Sequence, residues 1–367
     1  MRVKARPLDK PFLLVVCALV VFGLLIFTSA ALGLLARDGA TFTSVAVNQL
    51  LLGFLLGGVG LVFFARVDYR RWRAYTPYFF VLALVLTVLT FVPHIGVELK
   101  GASRWLALGP LSFQPVEFLK FSIVGFLAAV YAKNFKRVDT IRGGILPLAL
   151  IIGIPTLIVL LQPDTASAMM LAAAGVAMLF AAGGRILHFV LLILLGAVVV
   201  AGAAIYYPHV KDRLITFFNQ SSDPQGSGYQ VTQSLIAVGS GGVTGRGFGQ
   251  SIEKFSFLPE PIGDSIFAVA GEEFGFVGSV VLVGLYAAFA LLGLRIAARA
   301  PDPFGGLVAV GLVVLIIGQS FFNIASSIAL LPLVGVPLIF VSHGGTALAI
   351  SLCEVGVLLN ISRRMKS

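Results

Sequence analysis

Charge is what this sequence lacks most. Only 11% of its 367 residues are charged, whereas 58% are hydrophobic and the mean hydropathy is +1.01. A water-soluble fold could not bury this much apolar surface in one core. The composition therefore excludes a soluble globular enzyme and predicts a polytopic membrane protein.

Cysteine and histidine are also scarce, which limits the chemistry available to the chain. Its two cysteines, Cys17 and Cys353, both lie inside apolar runs, and there are only four histidines. These residues cannot build a disulfide framework or a Cys/His metal cluster. The sequence also lacks a convincing internal repeat, a low-complexity tail and a separable soluble segment. We therefore predict one membrane domain over residues 1–367.

Long apolar runs recur along the whole chain. A helix needs about 20 apolar residues to cross a bilayer. Ten runs come close to this length, which predicts an all-α polytopic membrane protein with about ten transmembrane helices. The ten runs are 11–35, 44–65, 75–96, 114–132, 144–162, 165–183, 186–207, 265–294, 305–335 and 338–361.

The net charge of +10 is best explained by membrane topology. If both termini are cytoplasmic, 18 of the 26 basic residues fall on the cytoplasmic side, seven fall outside, and Lys120 lies within a span. This distribution satisfies the positive-inside rule, so no nucleic-acid partner is needed to explain the charge. It also predicts one large extracytoplasmic loop at about 208–264.

The longest polar stretch, residues 223–278, holds the strongest candidate for catalysis. The chain becomes hydrophobic again directly after Asp264, so this carboxylate is predicted at a membrane boundary. The glycine-rich run at 239–249 follows no predicted strand, which excludes a P-loop or a dinucleotide fingerprint. Its glycines indicate either close backbone packing or a flap over a cavity.

Glu117 and Lys120 are ionisable residues inside a predicted span, where a charge is costly unless it is paired or hydrated. Their i, i+3 spacing places them on one helix face. Pro115 suits the first position of that helix, so the pair is predicted about one turn below the outer surface. Two interpretations remain open: an ion pair that only fixes helix packing, or a lysine that presents positive charge to a phosphate.

Two further polar residues are candidates at the same side of the membrane. Arg104 could bind a pyrophosphate in bidentate fashion, or it could serve with Trp105 as an interfacial anchor. Asp164 lies in a tight break between two spans. It is predicted to cap the helix that starts at Thr165, to form a polar wall of the cavity, or to do both.

Three other buried acids and one histidine are better explained by structure. Glu272 and Glu273 are adjacent, so they point about 100° apart on a helix and cannot both face one cavity. At least one of them should pack through a hydrogen bond. Glu354 is also interpreted as structural, and His343 as a satisfied polar residue near the outer mouth.

Several spaced motifs together resemble the SEDS family, which comprises RodA, FtsW and SpoVE. The match follows the family's order over nearly the whole chain. The motifs are Lys100-Gly101-Ala102-Ser103-Arg104-Trp105, Gln114-Pro115 with Glu117 and Lys120, Gln162-Pro163-Asp164, Asp223-Pro224, Gly226-Ser227-Gly228-Tyr229, Gln233-Ser234, Ser240-Gly241-Gly242, Leu258-Pro259-Glu260, Asp264 with Ile266-Phe267-Ala268-Val269, and Gly344-Gly345.

This resemblance implies a peptidoglycan glycosyltransferase in the bacterial plasma membrane. Its substrate would be lipid II, the undecaprenyl-pyrophosphate-linked disaccharide peptide, and its partner a class B penicillin-binding protein with transpeptidase activity. Asp264 matches the family's essential aspartate, and Glu117 with Lys120 match its buried acid and base. Residues 223–260 are closer to the FtsW branch, whereas 331–338 are closer to RodA.

The sequence departs from the family pattern beside Asp264. Ile262 and Gly263 stand where His-Thr is usual, and His343 stands where a tyrosine is usual. These departures put substrate positioning in question, but not the aspartate. The predicted substrate-binding residues are Lys120, Glu117, Arg104 and Asp164. The leaving pyrophosphate would be neutralised by Lys120, Arg104 or a divalent cation, Mg²⁺ or Mn²⁺, held by carboxylates.

Two other functions suit the same sequence features. A lipid II flippase would also need many spans, an intramembrane ion pair and a cavity for a lipid phosphate. A scaffold would only recruit a penicillin-binding protein. The position of Asp264 at the outer boundary favours the enzyme, since a transporter should have paired broken helices near the midplane and none was apparent in the sequence.

Overall fold

The computed structural model describes residues 8–37, 39–99, 102–108, 111–206, 208–219 and 226–365. The predicted motifs at Lys100-Gly101 and Asp223-Pro224 lie outside the described residues. The described chain is mainly helical, which confirms the predicted class. The first half contains α1 (Lys10–Arg37), α2 (Gly39–Val47), a π-helix (Asn48–Leu56), α3 (Gly57–Arg66), α4 (Tyr69–Trp72), α5 (Thr76–Leu89), α6 (Pro115–Lys133), α7 (Leu146–Leu148), α8 (Ile154–Leu161) and α9 (Thr165–Ala181).

Short helical turns that are not α-helical join some of the first-half helices, at Phe135–Arg137, Ile141–Ile145 and Ala149–Gly153.

The second half of the chain is also mainly helical, and three of its described helices lie within the predicted loop at 208–264. The remaining helices are α10 (Ile186–Tyr206), α11 (Pro208–Phe218), α12 (Ser227–Ser240), α13 (Glu253–Ser256), α14 (Ile266–Ala298), α15 (Pro303–Ser327) and α16 (Gly345–Ser362).

Seven helical segments of the described chain are long and apolar enough to cross a membrane. Three shorter apolar helices, Thr76–Leu89, Thr165–Ala181 and Ile186–Val198, accompany them. The count of ten spans therefore remains a prediction. The seven longer segments are Lys10–Ala36, Phe42–Arg66, Pro115–Lys133, Ile141–Leu161, Ile266–Ala298, Pro303–Ser327 and Gly345–Ser362.

A small antiparallel sheet lies between α5 and α6. Its strands are β1 (Gly96–Leu99), β2 (Ala102–Leu108) and β3 (Leu111–Phe113), paired in the order β1-β2-β3. Val97 is paired with Trp105, and Leu106 with Phe113. This sheet leads directly into α6, whose first residue is the proline predicted there.

The last two predicted spans were drawn too long. Helix α15 ends at Ser327 and α16 begins at Gly345, so residues 328–344 form a non-helical, partly buried linking segment. Pro332 and Pro337 have no backbone N–H to continue a helix, and Gly335 has a left-handed φ of 74°. Apolar composition alone could not separate this segment from a helix.

Ion pairs mark one end of the helix bundle, here called the basic end. Asp9, which precedes α1, pairs with Arg295 near the end of α14 at 2.6 Å. Arg364, after α16, pairs with Asp68 at 3.3 Å, and Asp302 before α15 pairs with Arg70 at 3.1 Å. Both ends of the described chain are thus fixed at this end. Helix α14 has 33 residues and is broken at Gly275. The unbroken part from there to Ala298 is about 35 Å long, so Asp264, beside the other terminus, lies far from this end.

Candidate active site

Asp264 lies in the turn immediately before α14 and is only half-buried. Its main-chain oxygen accepts hydrogen bonds from Asn323 Nδ2 at 2.9 Å and from Ser327 Oγ at 3.5 Å. Asn323 also donates to the Val336 carbonyl at 2.7 Å. A single side chain of α15 therefore ties Asp264 to the linking segment.

The linking segment also holds the two residues before Asp264. Ser342 Oγ donates to the Gly263 carbonyl at 2.7 Å, and the His343 amide donates to the Ile262 carbonyl at 2.7 Å. These contacts use main-chain atoms of Ile262, Gly263 and His343, the three positions that depart from the family pattern. The turn before α14 is therefore held by contacts that do not depend on which side chains stand at these three positions.

Gly335 lies directly against the Asp264 carboxylate, where a side chain would crowd it. A Cβ at residue 335 would lie 3.1 Å from Asp264 Oδ2 and 3.9 Å from Arg213 Nη2. The glycine also has a positive φ, which other residues rarely adopt. The backbone of the linking segment thus passes directly beside the carboxylate and close to an arginine.

That arginine, Arg213, was not identified as a site residue from the sequence. It lies on α11, where its Nη1 donates to the Val334 carbonyl at 3.1 Å. Burial lowers the pKa of its guanidinium, while the charges of Asp264 and Asp164 raise it and that of Arg104 lowers it. The structure therefore brings Asp264, Asp164, Arg104 and Arg213 into electrostatic contact. Apolar residues recur at helical spacing in 208–218, at Val210, Leu214 and Phe217, and this amphipathic pattern could have revealed a docked helix.

Arg104 and Asp164 meet at the turn between α8 and α9. From β2, Arg104 Nε donates to the Gln162 carbonyl at 3.0 Å, and its Nη2 donates to the Pro163 carbonyl. Asp164 caps α9, because its carboxylate accepts from the Ser167 amide at 3.1 Å and from Ser167 Oγ at 2.8 Å. The predicted helix cap is confirmed, whereas the roles of both residues in substrate binding remain predictions.

Glu117 and Lys120 form the predicted ion pair on α6, at 2.8 Å and with both side chains buried. Lys120 Nζ also donates to Gln319 Oε1 at 2.8 Å, and Gln319 Nε2 contacts the Pro337 carbonyl at 3.5 Å. Glu354 of α16 is electrostatically coupled to the pair. Lys120 is thus connected through α15 to the linking segment beside Asp264.

Glu272 and Glu273 hold the loop that precedes Asp264. Glu272 accepts hydrogen bonds from Ser251 Oγ at 2.5 Å and from the Ile252 amide at 3.0 Å. Glu273 accepts from Lys254 Nζ at 2.6 Å and from Ser29 Oγ of α1 at 2.5 Å. Both carboxylates are almost fully buried. The expectation that at least one of them serves packing is confirmed for both.

The glycine-rich run packs against a break in α14. Gly275 interrupts this helix with φ 65° and ψ −162°. The exposed backbone is paired by hydrogen bonds from Arg246 N to Glu272 O at 3.0 Å and from Phe276 N to Gly242 O at 2.9 Å. A Cβ on Gly245 would overlap the Glu273 carbonyl. Close backbone packing therefore explains Gly241 and Gly245, whereas a Cβ at Gly249 would meet no other atom.

The divalent cation predicted from the sequence would need carboxylates grouped around one point. Within the described ranges, no three His, Cys, Asp or Glu side chains are grouped as metal ligands. Asp264 and Asp164 are instead both coupled to Arg213. The described residues therefore contain no cage of three protein carboxylates for Mg²⁺ or Mn²⁺, and the divalent cation stays a prediction.

Comparisons with known proteins identify the family of this chain. The family described as "Cell cycle protein" (FTSW_RODA_SPOVE) matches residues 10–367. The chain is 38% identical to the probable peptidoglycan glycosyltransferase FtsW of Trichlorobacter lovleyi, covering 98% of this chain and 94% of that one. It is 36% identical to stage V sporulation protein E of Bacillus subtilis, covering 84% and 85%.

Solved structures show the same fold. A chain from a structure described as "Structural coordination of polymerization and crosslinking by a peptidoglycan synthase complex" has a TM-score of 0.78 and 28% identity, covering 97% of this chain and 98% of that one. Thermus thermophilus RodA has a TM-score of 0.67 and 24% identity, covering 98% of each chain, and shares the fold. The predicted family is confirmed: this multi-pass membrane protein belongs to the FtsW, RodA and SpoVE family.

Proposed function

We propose that this protein is a peptidoglycan glycosyltransferase that polymerises lipid II at the outer face of the bacterial plasma membrane. The observation that carries the proposal is the half-buried Asp264 carboxylate at the start of a span, beside Arg213 and held by main-chain contacts. Relatives named FtsW, similar over the full chain, support a role in cell division.

Asp264 would act as the general base. It would accept the proton of the sugar 4-hydroxyl while that oxygen forms a bond to the anomeric carbon of a second lipid-linked substrate. The bond from this carbon to the pyrophosphate would break, and undecaprenyl pyrophosphate would leave with inversion at the carbon. An aspartate with an ordinary pKa of about 3.9 is a weak base, so proton transfer would be concerted with attack.

Arg213 is the group best placed to stabilise charge on the pyrophosphate. Its guanidinium is close to Asp264, and one of its nitrogens is anchored to the Val334 carbonyl. A fixed guanidinium is suited to a phosphate because it can donate two parallel hydrogen bonds. Arg104, in contrast, is engaged with two carbonyls of the 162–163 turn, so it would support the site by holding Asp164 beside Arg213.

Lys120, Glu117 and Asp164 are proposed to complete the substrate site. Lys120 has two oxygen partners, Glu117 and Gln319, and a substrate phosphate would replace one of them. Asp164 would position Arg213 through its charge. Both termini would be cytoplasmic, as the positive-inside rule favours. A class B penicillin-binding protein would supply the transpeptidase.

The proposal is tested by glycan polymerisation from purified lipid II, with the protein co-purified with its penicillin-binding partner. Asp264→Asn removes the base while keeping the shape, and we expect about a thousand-fold loss of polymer. The matched control is Asp212→Asn, which makes the same change at an exposed position of α11 and should retain activity. Equal activity of Asp264→Asn and wild type would exclude this assignment.

The alternative of a lipid II flippase gains one observation from the structure. Helix α14 is broken at Gly275, whereas the sequence alone indicates no pair of broken helices. Broken helices are typical of transporters, although there they usually occur in pairs. If intact complexes make no polymer, lipid II translocation into liposomes would be measured, and translocation lost in Lys120→Met would favour the flippase.

A further inference from the structure

A groove of about 420 Å³ opens at the basic end of the molecule, far from Asp264. It lies where α9 and α14 end and α15 begins, next to the turn that follows α6. Its walls are mostly apolar, and several of their side chains are small. The lining includes Phe135, Ala181, Leu294, Ala297, Leu307 and Val310.

Exposed basic residues are adjacent in sequence to residues that line this groove. Lys136 follows the lining residue Phe135, and Arg299 lies between the lining residues Ala298 and Ala300. Both basic side chains are exposed. Lys133 and Arg137, also exposed, belong to the same turn as Phe135.

The nearby carboxylates are already paired with other cations. Asp302, which lines the groove, binds Arg70 at 3.1 Å. Asp139 pairs with Arg185 at 3.4 Å, and Asp9 with Arg295 at 2.6 Å. Within the described part of the chain, no carboxylate forms an ion pair with Lys136 or Arg299. The mouth of the groove therefore carries net positive charge.

We infer that this groove binds an anionic phospholipid of the cytoplasmic leaflet, with an acyl chain against the apolar walls and the phosphate between Lys136 and Arg299. An apolar slot with a basic rim complements such a lipid at both ends. Basic pockets between membrane helices on the cytoplasmic side are suited to acidic headgroups, and each basic residue strengthens attraction to an anionic surface about fivefold. The inference uses the proposed orientation of the basic end, but it is independent of glycosyl transfer.

The test measures binding of phosphatidylglycerol to the purified full chain in detergent by native mass spectrometry, with phosphatidylcholine of the same acyl chains as the comparison. Wild type should bind phosphatidylglycerol more tightly than phosphatidylcholine. Lys136→Ala/Arg299→Ala should weaken phosphatidylglycerol binding about thirty-fold, the equivalent of two such charges. The matched control, Arg66→Ala/Arg71→Ala, removes the same charge from exposed arginines elsewhere and should have little effect.

A second pair of variants tests the acyl-chain part of the site. Ala181→Phe fills the groove from an exposed position, whereas Ala201→Phe adds the same bulk to the exposed surface of α10. Only Ala181→Phe should reduce lipid binding. Equal loss in both charge variants would indicate a diffuse surface effect, and unchanged binding in Ala181→Phe would show that the groove is not occupied. Either outcome overturns the inference, as does equal binding of the two lipids.

Discussion

Asp264 and Glu273 are two carboxylates of the same region with opposite surroundings. Glu273 is almost fully buried, and its Oε1 accepts hydrogen bonds from Lys254, Ser29 and the Ser251 amide. Asp264 is half-buried, and the contacts that fix it from α15 are made to its main-chain oxygen. The Glu273 carboxylate holds neighbouring segments together, whereas the Asp264 carboxylate is held in place by contacts to its own backbone.

The comparison shows how a scaffold can be separated from a reactive group. Glu273 links α1, the loop and α14 through its side chain, so its charge is committed to folding. Asp264 is positioned through its backbone, so a change in its side chain should affect chemistry more than stability. Loss of the Glu273 ion pair should therefore mainly lower stability, whereas substitution of the Asp264 side chain should mainly lower activity.

The largest expected effect on stability is at the buried ion pair. Lys254→Met leaves the Glu273 charge buried without its cation, so the free energy of unfolding should fall by about 3–5 kcal/mol. Asp264→Asn should change it by less than about 0.5 kcal/mol, although it abolishes activity. Unfolding in detergent, followed by circular dichroism against denaturant, measures both.

The control for the ion pair is the double variant Lys254→Met/Glu273→Gln. It removes both charges while the glutamine can still accept from Ser29 and Ser251, so it should recover at least half of the lost stability. If the double variant is as unstable as Lys254→Met, the loss comes from packing and not from an unpaired charge.

The sequence predicted the parts of this molecule that depend on local pattern. Pro115 at the start of α6, the Glu117–Lys120 pair and the Asp164 cap all follow from spacing within one helix or turn. The position of Asp264 directly before a span follows from the change in hydropathy at that residue. These features need no knowledge of which elements pack together.

The parts that were missed depend on contacts distant in the chain. Arg213 lies close to Asp264 because the linking segment contacts both of them. Val334 accepts a hydrogen bond from Arg213, and Gly335 lies beside the Asp264 carboxylate. The break at Gly275 exists because backbone groups of 242–247 replace its helical hydrogen bonds. A hydropathy profile carries no signal for either contact.

Two glycines of the loop test how closely it must pack on the scaffold. Gly245 and Gly249 both have φ near 80°, but only a Cβ at Gly245 would meet other atoms, at the Glu273 carbonyl. Gly249→Ala should cost about 1 kcal/mol for the left-handed backbone alone, and Gly245→Ala about 2 kcal/mol or more. Unfolding in detergent measures both, and equal costs would contradict close packing against α14.

Acid should weaken the turn that presents Asp264. Burial lowers the pKa of His343 to about 4, although Glu260 partly opposes this shift. The unfolded chain, with an ordinary histidine pKa of about 6.5, therefore takes up the proton first, and stability falls as the pH drops from 6.5 towards 4. At pH 5.5 the expected loss is about 1.4 kcal/mol relative to pH 7.5. His343→Phe, which can keep the stacking on Phe27, should remove this part of the pH dependence of unfolding.

The smallest expected effect separates the two α15 side chains that contact the Asp264 backbone. Asn323→Ala removes hydrogen bonds of 2.9 Å to Asp264 and 2.7 Å to Val336, whereas Ser327→Ala removes a contact of 3.5 Å. A hydrogen bond contributes about 1 kcal/mol, so Asn323→Ala should lower the polymerisation rate about fivefold, with little change in KM if it only misplaces the base. Ser327→Ala should remain within about twofold of wild type. An Asn323→Ala rate within about twofold of wild type would mean that this main-chain contact does not position Asp264, and the contrast with Glu273 would then fail.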